Sequence, residues 1–153
     1  MVLVPEPKPQ LGFRFAVVFL KLGVIPLPLD FRFQRVSGLS SKVATTTVRE
    51  GGQNAYAHQL PDRMDHGNLT LERGFLVGSL LNVEMVAMLT SFEFLPWTVM
   101  VTLLGESGAP LAGWMFLRAY PVSWSTSDLD ARQFEVAIDT IELAYTRMQI
   151  LRV

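Results

Sequence analysis

The stretch from residue 36 to residue 74 places the strongest constraint on how this chain can fold. Two runs of strand-like composition, Ser41–Arg49 and Asn68–Glu72, flank a connection of nearly twenty residues that is rich in glycine and polar side chains. A connection of that length without a pattern of its own is uncommon in a compact domain, where it is usually functional or disordered.

The residues of this connection are unusual for a disordered segment. The pair Gly51 and Gly52 suits backbone angles that other residues avoid. Leu60 followed by Pro61 inserts a rigid apolar point into a polar stretch. We therefore interpret the connection either as an ordinary mobile loop or as an arm that becomes ordered against a partner.

The composition favours a subunit of an assembly. Apolar residues make up 50% of the 153 residues and charged residues only 18%, which is low in charge for a free monomer. A broad exposed apolar patch usually marks an interface. The formal net charge of −1 provides no global basic field that would attract nucleic acid.

Several classes of protein are disfavoured by what the sequence lacks. The chain has no cysteine, which excludes disulfides and thiolate metal sites and permits folding in a reducing cytoplasm. The apolar segment Phe15–Leu29 is interrupted by Lys21, Pro26 and Pro28 and has no small-residue cleavage site. Since a membrane span needs about twenty unbroken apolar residues, we expect neither a signal peptide nor a membrane anchor.

The N-terminal third is predicted to contain an extended arm and a hairpin. Residues 1–10 include prolines at positions 5, 7 and 9, which favour an extended arm. Leu11–Leu20 is predicted to be a strand, and the alternation over residues 31–35 predicts a second strand that completes the hairpin. Their connection, Leu22–Leu29, is too apolar for a solvated loop, so we expect it to fold over the core or to contact another subunit. The candidate contact residues in it are Leu27 and Leu29.

The apolar period changes after the strand at Asn68–Glu72, where it predicts the single helix of the chain. Ser79 is the candidate N-cap, and Pro96 stops the segment. A methionine-rich face of this kind is more often core packing than a cofactor pocket. The residues on the apolar face are Leu81, Met85, Met88, Leu89 and Phe92.

Beyond the helix the pattern returns to strands. Trp97–Leu104 and Leu111–Leu117 are predicted strands joined by the turn G-E-S-G at 105–108, and Tyr120–Ser125 is predicted to be extended.

The last long segment, Arg132–Tyr145, is rich in β-branched residues. Its apolar residues change face at Asp139–Thr140, which predicts a bulge or a strand that changes neighbours. A helix beginning near Asp139 is the competing interpretation.

No arrangement of side chains indicates catalysis. The polar residues His58, Asp62, Asp65 and His66 share one connection, but their spacing does not fix two nitrogens on one face as a zinc site requires. The glutamates that could form a carboxylate pair, at separations the sequence does not determine, are Glu50, Glu72 and Glu142. No G-x-G-x-x-G or phosphate loop is present. We therefore expect no enzyme activity, no cofactor and no metal.

Taken together, the pattern predicts a single domain over residues 1–153 that is mainly β. Many short strands, turns at short intervals and one helical stretch favour an antiparallel β-barrel or curled sandwich with one packed helix and a long extended loop or hairpin.

Four short motifs in the opening stretch resemble the tube protein of contractile phage tails. They read V-S-G-L at 36–39, R-E-G-G at 49–52, L-P-D-R at 60–63 and L-T-L-E-R-G at 69–74. The resemblance continues through residues 113–124 and 127–145, and it includes the tube proteins of phage-derived injection particles.

The resemblance implies a structural protein that forms hexameric rings, which stack into a hollow tube. The implied partners are neighbouring rings, a surrounding sheath and a baseplate hub or spike, with cargo or DNA passing through the lumen without specific recognition. Such a subunit would assemble in the bacterial cytoplasm and become part of a virion tail or a released particle. Besides Leu27 and Leu29, the candidate assembly residues are Ser37, Gly38, Leu39, Arg49, Glu50, Gly51, Gly52, Leu60, Pro61, Arg63, Arg73, Gly74, Trp114 and Pro121.

The sequence departs from the pattern of this family in two places. The tryptophan often found toward the end of the family's helix is absent, and the first hairpin carries the apolar connection Leu22–Leu29. An apolar loop is costly to leave wet along a tube but could contact a different protein at the tube's end. One hypothesis is therefore an adaptor ring that joins the tube to the hub and spike. The alternatives are a main tube protein with a divergent hairpin and a monomeric β-sandwich binding module.

Overall fold

The computed structural model describes residues 14–21, 25–26, 33–52, 54–75 and 78–152. Within these ranges, the chain forms ten strands and one helix, α1, at Leu80–Ser91. The strands are β1 Phe15–Lys21, β2 Ile25–Pro26, β3 Arg35–Ser37, β4 Ser41–Val48, β5 His58–His66, β6 Leu69–Gly74, β7 Trp97–Leu104, β8 Pro110–Thr126, β9 Ile138–Ala144 and β10 Arg147–Arg152.

Every strand pair in the described ranges is antiparallel, and β8 belongs to two sheets. The first half of β8 pairs with β7 and β10, and the order on that side is β2-β1-β7-β8-β10. The second half pairs with β9 in the order β8-β9-β6-β3. In these ranges the sheet does not close into a barrel. The predicted curled sandwich is therefore confirmed, and the barrel alternative is wrong.

One core lies between the two sheets because their strands alternate buried and less buried residues. In β6 and β9, the buried leucines and isoleucine face inward while threonine and glutamate face outward, as the period of two requires. Helix α1 covers the core with its methionine-rich face. The core side chains that are almost fully buried are Val17, Phe19, Leu69, Leu71, Leu81, Met85, Trp97, Val99, Val101, Phe116, Ile141 and Leu143.

Two bulges bend β8 where it passes from one sheet to the other. Opposite β7, an extra residue lies between Phe116 and Ala119, and Arg118 there has a φ of 54°. Opposite β9, Val122 is an extra residue between two paired positions. A bulge bends and twists its strand, so these two insertions let one strand serve both sheets.

The helix begins where its sequence indicates and ends before the predicted stop at Pro96, at Ser91. The Oγ of Ser79 accepts a hydrogen bond from the Asn82 backbone N–H at 3.3 Å, which confirms the predicted N-cap. Met85 and Met88 are buried as predicted. Phe92 was expected on the buried face, and that prediction is wrong: it lies beyond the last helical residue with a left-handed φ of 60° and is 81% exposed.

Two predictions for the N-terminal half are wrong in part. Of the second hairpin strand, predicted at 31–35, the structure describes residues 33–35, and there Gln34 and Arg35 bond to β6 and not to β1. The hairpin partner of β1 is instead Ile25–Pro26, inside the predicted connection. The second half of the long connection is not irregular, because His58–His66 is the strand β5. The arm at 1–10 and the residues Leu27 and Leu29 lie outside the described residues.

Two predictions for the C-terminal half also need correction. Residues 111–117 and 120–125 are not separate elements, since both lie in the one strand β8. Residues 132–137 precede the strand β9, and Phe134 and Val136 there are fully or largely exposed. The register of β9 with β6 is regular, so neither the predicted bulge at Asp139–Thr140 nor the alternative helix is present.

Candidate assembly surface

The most prominent surface feature is the β4–β5 hairpin, which forms a two-stranded sheet of its own. Its strands pair from Ser41 opposite His66 to Val48 opposite His58. Eight residues of strand correspond to a length of roughly 27 Å. Almost every residue of both strands is exposed on either face, so the hairpin projects from the sandwich.

The hairpin exposes apolar side chains that its own two strands cannot bury. Within the described residues, no third strand joins it, and a lone two-stranded hairpin is marginal in water. Leu60 is 54% and Met64 62% exposed. The other exposed apolar side chains are Val43, Val48 and Tyr56. This combination is typical of a surface that is completed by a partner.

The hairpin joins the sandwich at a position that only glycine fits. Gly38 lies between β3 and β4 with a φ of 88°, and a Cβ there would collide with the Asn68 carbonyl oxygen. Ser37 is the last residue of β3, and Leu39 packs against the core. The motif V-S-G-L therefore sets the direction in which the hairpin leaves the body.

The tip of the hairpin carries four of the candidate residues. Gly51 and Gly52 form a turn, and Gly52 has a φ of 96°. Arg49 and Glu50 precede this turn and are exposed. The tip thus presents one positive and one negative side chain to solvent.

The motif L-P-D-R lies within β5 next to a bulge. Val43 pairs with Met64 and Thr45 with Pro61, which leaves β5 one residue longer than β4 between these pairs. Proline has no N–H to donate, so it is tolerated in strands at edges and bulges. Leu60, Pro61 and Arg63 are all exposed on the hairpin.

Arg73 lies inside the subunit, at 1% exposure. Its Nη2 donates to Ser79 Oγ at 2.6 Å and to Asn82 Oδ1 at 2.7 Å, and its guanidinium lies 5.5 Å from the centre of the Phe33 ring. Asn82 Nδ2 in turn donates to the buried Asp139 at 3.1 Å. We therefore assign Arg73 to the attachment of the helix and leave it out of the assembly surface.

The remaining candidates lie on the body. Gly74 ends β6, and its Cα faces Val136 and Gln34. Trp114 is half-buried against the core, and Pro121 is buried beside the second bulge of β8. These three residues are part of the sandwich and are not brought together with the hairpin.

An aromatic surface patch was missed by the sequence analysis. The ring centres of Phe92 and Phe94 are 5.3 Å apart, and those of Phe94 and Tyr120 are 5.6 Å apart. Together with Leu89, Pro121 and Val122 they line a groove of about 530 Å³. The available signal was the motif F-E-F just after the helix, which places two aromatic side chains two residues apart at a helix end.

The polar residues weighed as metal or catalytic groups do not converge. His58 and His66 lie at opposite ends of β5, roughly 27 Å apart by strand rise. Glu142 accepts from Asn68 Nδ2 at 2.6 Å, Glu72 lies 3.9 Å from Arg35, and Glu50 is at the hairpin tip. In the part of the chain that the structure describes, no three histidine or acidic residues form a metal-binding group. Nor does any helix there have the length and apolar character needed to cross a membrane.

A curled β-sandwich with one packed helix and a projecting hairpin defines this chain as having a tail tube-like fold. Residues 11–149 match the family of the T4-like virus tail tube protein gp19, so the chain belongs to that family. The resemblance seen in the sequence is confirmed. The chain is a tail tube-like protein of contractile injection systems.

Three solved structures are similar over nearly the whole chain. A chain of the anti-feeding prophage (AFP) baseplate, determined by cryo-EM with 6-fold symmetry, is 38% identical with a TM-score of 0.89, over 97% of this chain and 99% of that one. A chain of the AFP tube-terminating cap is 26% identical with a TM-score of 0.82, over 98% and 95%. A chain of the PVC sheath–tube complex, from an extracellular contractile injection system, is 24% identical with a TM-score of 0.79, over 98% and 95%, which shows the fold alone. Among curated proteins, none matches the chain.

Proposed function

We propose that this chain is the structural subunit of a homo-hexameric ring, and that such rings stack into the hollow tube of a contractile particle. The observation that carries the proposal is the β4–β5 hairpin, which leaves the body with its apolar side chains uncovered. Family membership and the 6-fold symmetry of the 38% identical baseplate relative support a ring of six.

The hairpin supplies the contact between one ring and the next. Its length of roughly 27 Å lets the tip reach beyond the subunit that carries it. Burial of Leu60 and Met64 against a neighbouring copy removes apolar surface from water, and Arg49 and Glu50 at the tip fix the position through polar contacts. A head-to-tail contact of this kind repeats from ring to ring without closing on itself.

The other expectations follow from the same role. The subunit is a single tail tube-like domain without catalytic activity, and its partners are neighbouring rings, a sheath and a baseplate hub or spike. Cargo or DNA passes through the lumen without specific recognition. Assembly takes place in the bacterial cytoplasm, after which the tube belongs to a virion tail or a released particle.

Negative-stain electron microscopy and sedimentation of the purified chain test this proposal. We expect rings or tubes for the native chain. Arg49→Glu and deletion of residues 52–58 should impair stacking while the unfolding midpoint of the subunit stays the same. Arg132→Glu reverses an exposed charge away from the hairpin and serves as the matched control. A strict monomer at high concentration contradicts the ring and supports a monomeric binding module, and equal loss of folding and stacking contradicts the role of the hairpin.

We further propose that the ring is the adaptor between the tube and the hub. The supporting comparison is that the baseplate relative is 38% identical, whereas the relative from the sheath–tube complex is 24% identical. Leu27→Asp combined with Leu29→Asp should then block tube initiation and leave the subunit folded. Copy number per particle decides the question: one or two rings agree with an adaptor, and many rings identify a main tube protein.

A further inference from the structure

The aromatic groove beside the helix has a feature that folding of the subunit does not explain. Phe92 occupies the left-handed position just after the last helical residue, where glycine is the usual residue. Its side chain is 81% exposed, so it neither fits that backbone angle well nor fills the core. A bulky residue in such a position is most often retained for a contact outside its own fold.

The groove has the chemistry that recognises proline-rich segments. Phe92, Phe94 and Tyr120 meet edge to face, which leaves ring faces and a cleft open to solvent. Pro121 and Val122 extend the apolar wall, so the cleft of about 530 Å³ is lined almost entirely by rings and aliphatic groups. Aromatic-lined grooves of this kind bind prolines in the extended polyproline conformation, because that conformation costs little entropy to fix.

The sequence contains one segment that suits this groove. Residues 1–10 read M-V-L-V-P-E-P-K-P-Q, with prolines at alternate positions. Glu93, between the two phenylalanines in the chain, lines a neighbouring cleft with Lys21 and Glu84 and not this groove. The apolar side chains of the groove therefore provide the contact with the prolines.

The direction of β1 decides which copy supplies the segment. Phe15 pairs with Leu103 at one end of β7, whereas Lys21 pairs with Trp97 at the other end, next to the groove. Arg14, just before β1, is therefore roughly 24 Å from the end of β1 that lies next to the groove, by strand rise. Pro7 reaches roughly 22 Å from residue 14 in the polyproline conformation. In its own groove, the segment would have to run straight back along β1 and lie fully stretched, whereas the groove of a second copy sets no such limit on its reach.

We propose that the groove lined by Phe92, Phe94 and Tyr120 binds the proline-rich segment 1–10 of a second copy of this chain. The inference rests on the proposed stacking of copies and adds a second contact to that of the hairpin. It gives each subunit one donated segment and one receiving groove, which is the arrangement that a head-to-tail contact needs.

A peptide titration tests the chemistry of the groove. The probe is a fluorescent peptide of residues 1–10, and the receptor is the full chain with Pro5→Ser, Pro7→Ser and Pro9→Ser, which removes competition from its own segment. We expect saturable binding that Phe92→Gly weakens at least roughly tenfold, which corresponds to about 1.4 kcal/mol. Phe92→Gly should not lower the melting temperature, since glycine favours the left-handed angle. Phe134→Ala removes a fully exposed aromatic ring elsewhere and should leave peptide binding unchanged. Absence of binding, or equal binding by Phe92→Gly, overturns the inference.

Cross-linking in the assembled state tests which copy donates the segment. The chain has no cysteine, so Pro7→Cys in one copy and Val122→Cys in another introduce the only thiols of the mixture. We expect a disulfide-linked dimer in the oxidised mixture, and none when Phe134→Cys replaces Val122→Cys or when either single-cysteine variant is oxidised alone. A link that forms only within single molecules carrying both cysteines overturns the second-copy assignment.

Microscopy of the same samples separates this inference from the ring proposal. Rings without peptide binding or cross-links overturn the groove contact and leave the ring intact. Peptide binding and intermolecular links without rings support the groove contact and overturn the ring.

Discussion

The sandwich and the β4–β5 hairpin both place apolar side chains in antiparallel strands, but the sandwich buries them and the hairpin exposes them. In β6, Leu69 and Leu71 are fully buried, whereas in β5 Leu60 and Met64 remain more than half exposed. The sandwich strands face other parts of the same chain across the core. In the described part of the chain, the hairpin meets the sandwich at its base, where the rings of His66 and Tyr145 are 5.4 Å apart, and the rest of both strands is almost entirely exposed. The comparison shows that folding of the subunit buries the apolar side chains of the sandwich and leaves those of the hairpin exposed, which is what the proposed assembly role requires.

The free energy that separates a buried apolar side chain of the sandwich from an exposed one of the hairpin can be estimated from the area that burial removes from water. Full burial of a leucine or methionine side chain is worth about 1.5–3 kcal/mol. In the sandwich this free energy stabilises the folded subunit. In the hairpin more than half of each of the side chains of Leu60 and Met64 is still exposed, so most of this free energy remains available to the proposed association and does not stabilise an isolated subunit.

The largest effect on the sandwich is expected from Trp97→Ala. Trp97 is 1% exposed and its ring meets that of Phe19 edge to face at 5.6 Å. Removal of a buried tryptophan leaves a cavity, and the loss is about 3–5 kcal/mol of unfolding free energy. Chemical denaturation measures it. A loss below about 1 kcal/mol would show that Trp97 is not part of the core.

A smaller loss is expected when the polar attachment of the helix is broken by Asp139→Ala. The buried carboxylate accepts from Thr126 Oγ1 at 2.8 Å and from Asn82 Nδ2 at 3.1 Å, and both donors would lose their partner. An unpaired buried polar group costs about 1–3 kcal/mol. The matched control is Asp130→Ala in the exposed loop before β9, which should change the unfolding free energy by less than about 0.5 kcal/mol. Equal effects of the two changes would contradict the network.

In the hairpin, substitutions are expected to leave the unfolding free energy nearly unchanged and to impair stacking. Leu60→Asp with Met64→Asp should change the unfolding free energy of the subunit by less than about 0.5 kcal/mol per site, because both side chains are already in water. The same double change should abolish stacking, since it places two charges in the proposed contact. Sedimentation and denaturation on one sample give both readouts. Normal stacking of the double variant would contradict the proposal that the exposed apolar side chains of the hairpin form the contact between rings.

The smallest effect on the unfolding free energy is expected from Tyr145, in the sandwich, at alkaline pH. Burial raises the pKa of Tyr145 above its ordinary value of 10.0, and its hydroxyl has no hydrogen-bond partner in the described residues. The unfolded chain therefore loses this proton first, so the contribution of Tyr145 is complete below pH 10 and is lost as the pH rises through the folded pKa. Tyr145→Phe should reduce the decline in stability above pH 10 and have no such effect at pH 8. An unchanged decline above pH 10 would show that Tyr145 titrates alike in both states.

The sequence predicts elements well where burial imposes a period. Trp97–Leu104 was predicted with its observed bounds, because it alternates and is flanked by Pro96 and Gly105. The strand β5 was not predicted, because a strand exposed on both faces needs no alternation. Asp139 misled the interpretation of β9, since a buried carboxylate at an inward position looks like a change of face.

The candidate site could be predicted only where backbone geometry requires a particular residue. Gly38 and Gly52 both have positive φ angles, in agreement with their place in the short motifs. Arg73 could not be assigned from sequence, because its partners Ser79 and Asn82 come close only after the helix packs. Phe92 fitted the helical period but lies one residue beyond the helix, where the period no longer determines burial.

The shared strand β8 has a mechanical consequence. Its seventeen consecutive residues run through both sheets. The first half of β8 pairs with β10, and the second half pairs with β9. Two sheets held only by side-chain packing can slide past each other under load. Here a sliding force must also stretch one continuous backbone and shear the hydrogen bonds along it. A subunit loaded along β8 would therefore respond as one stiff body, and it should yield first at the two bulges where β8 passes from one sheet to the other.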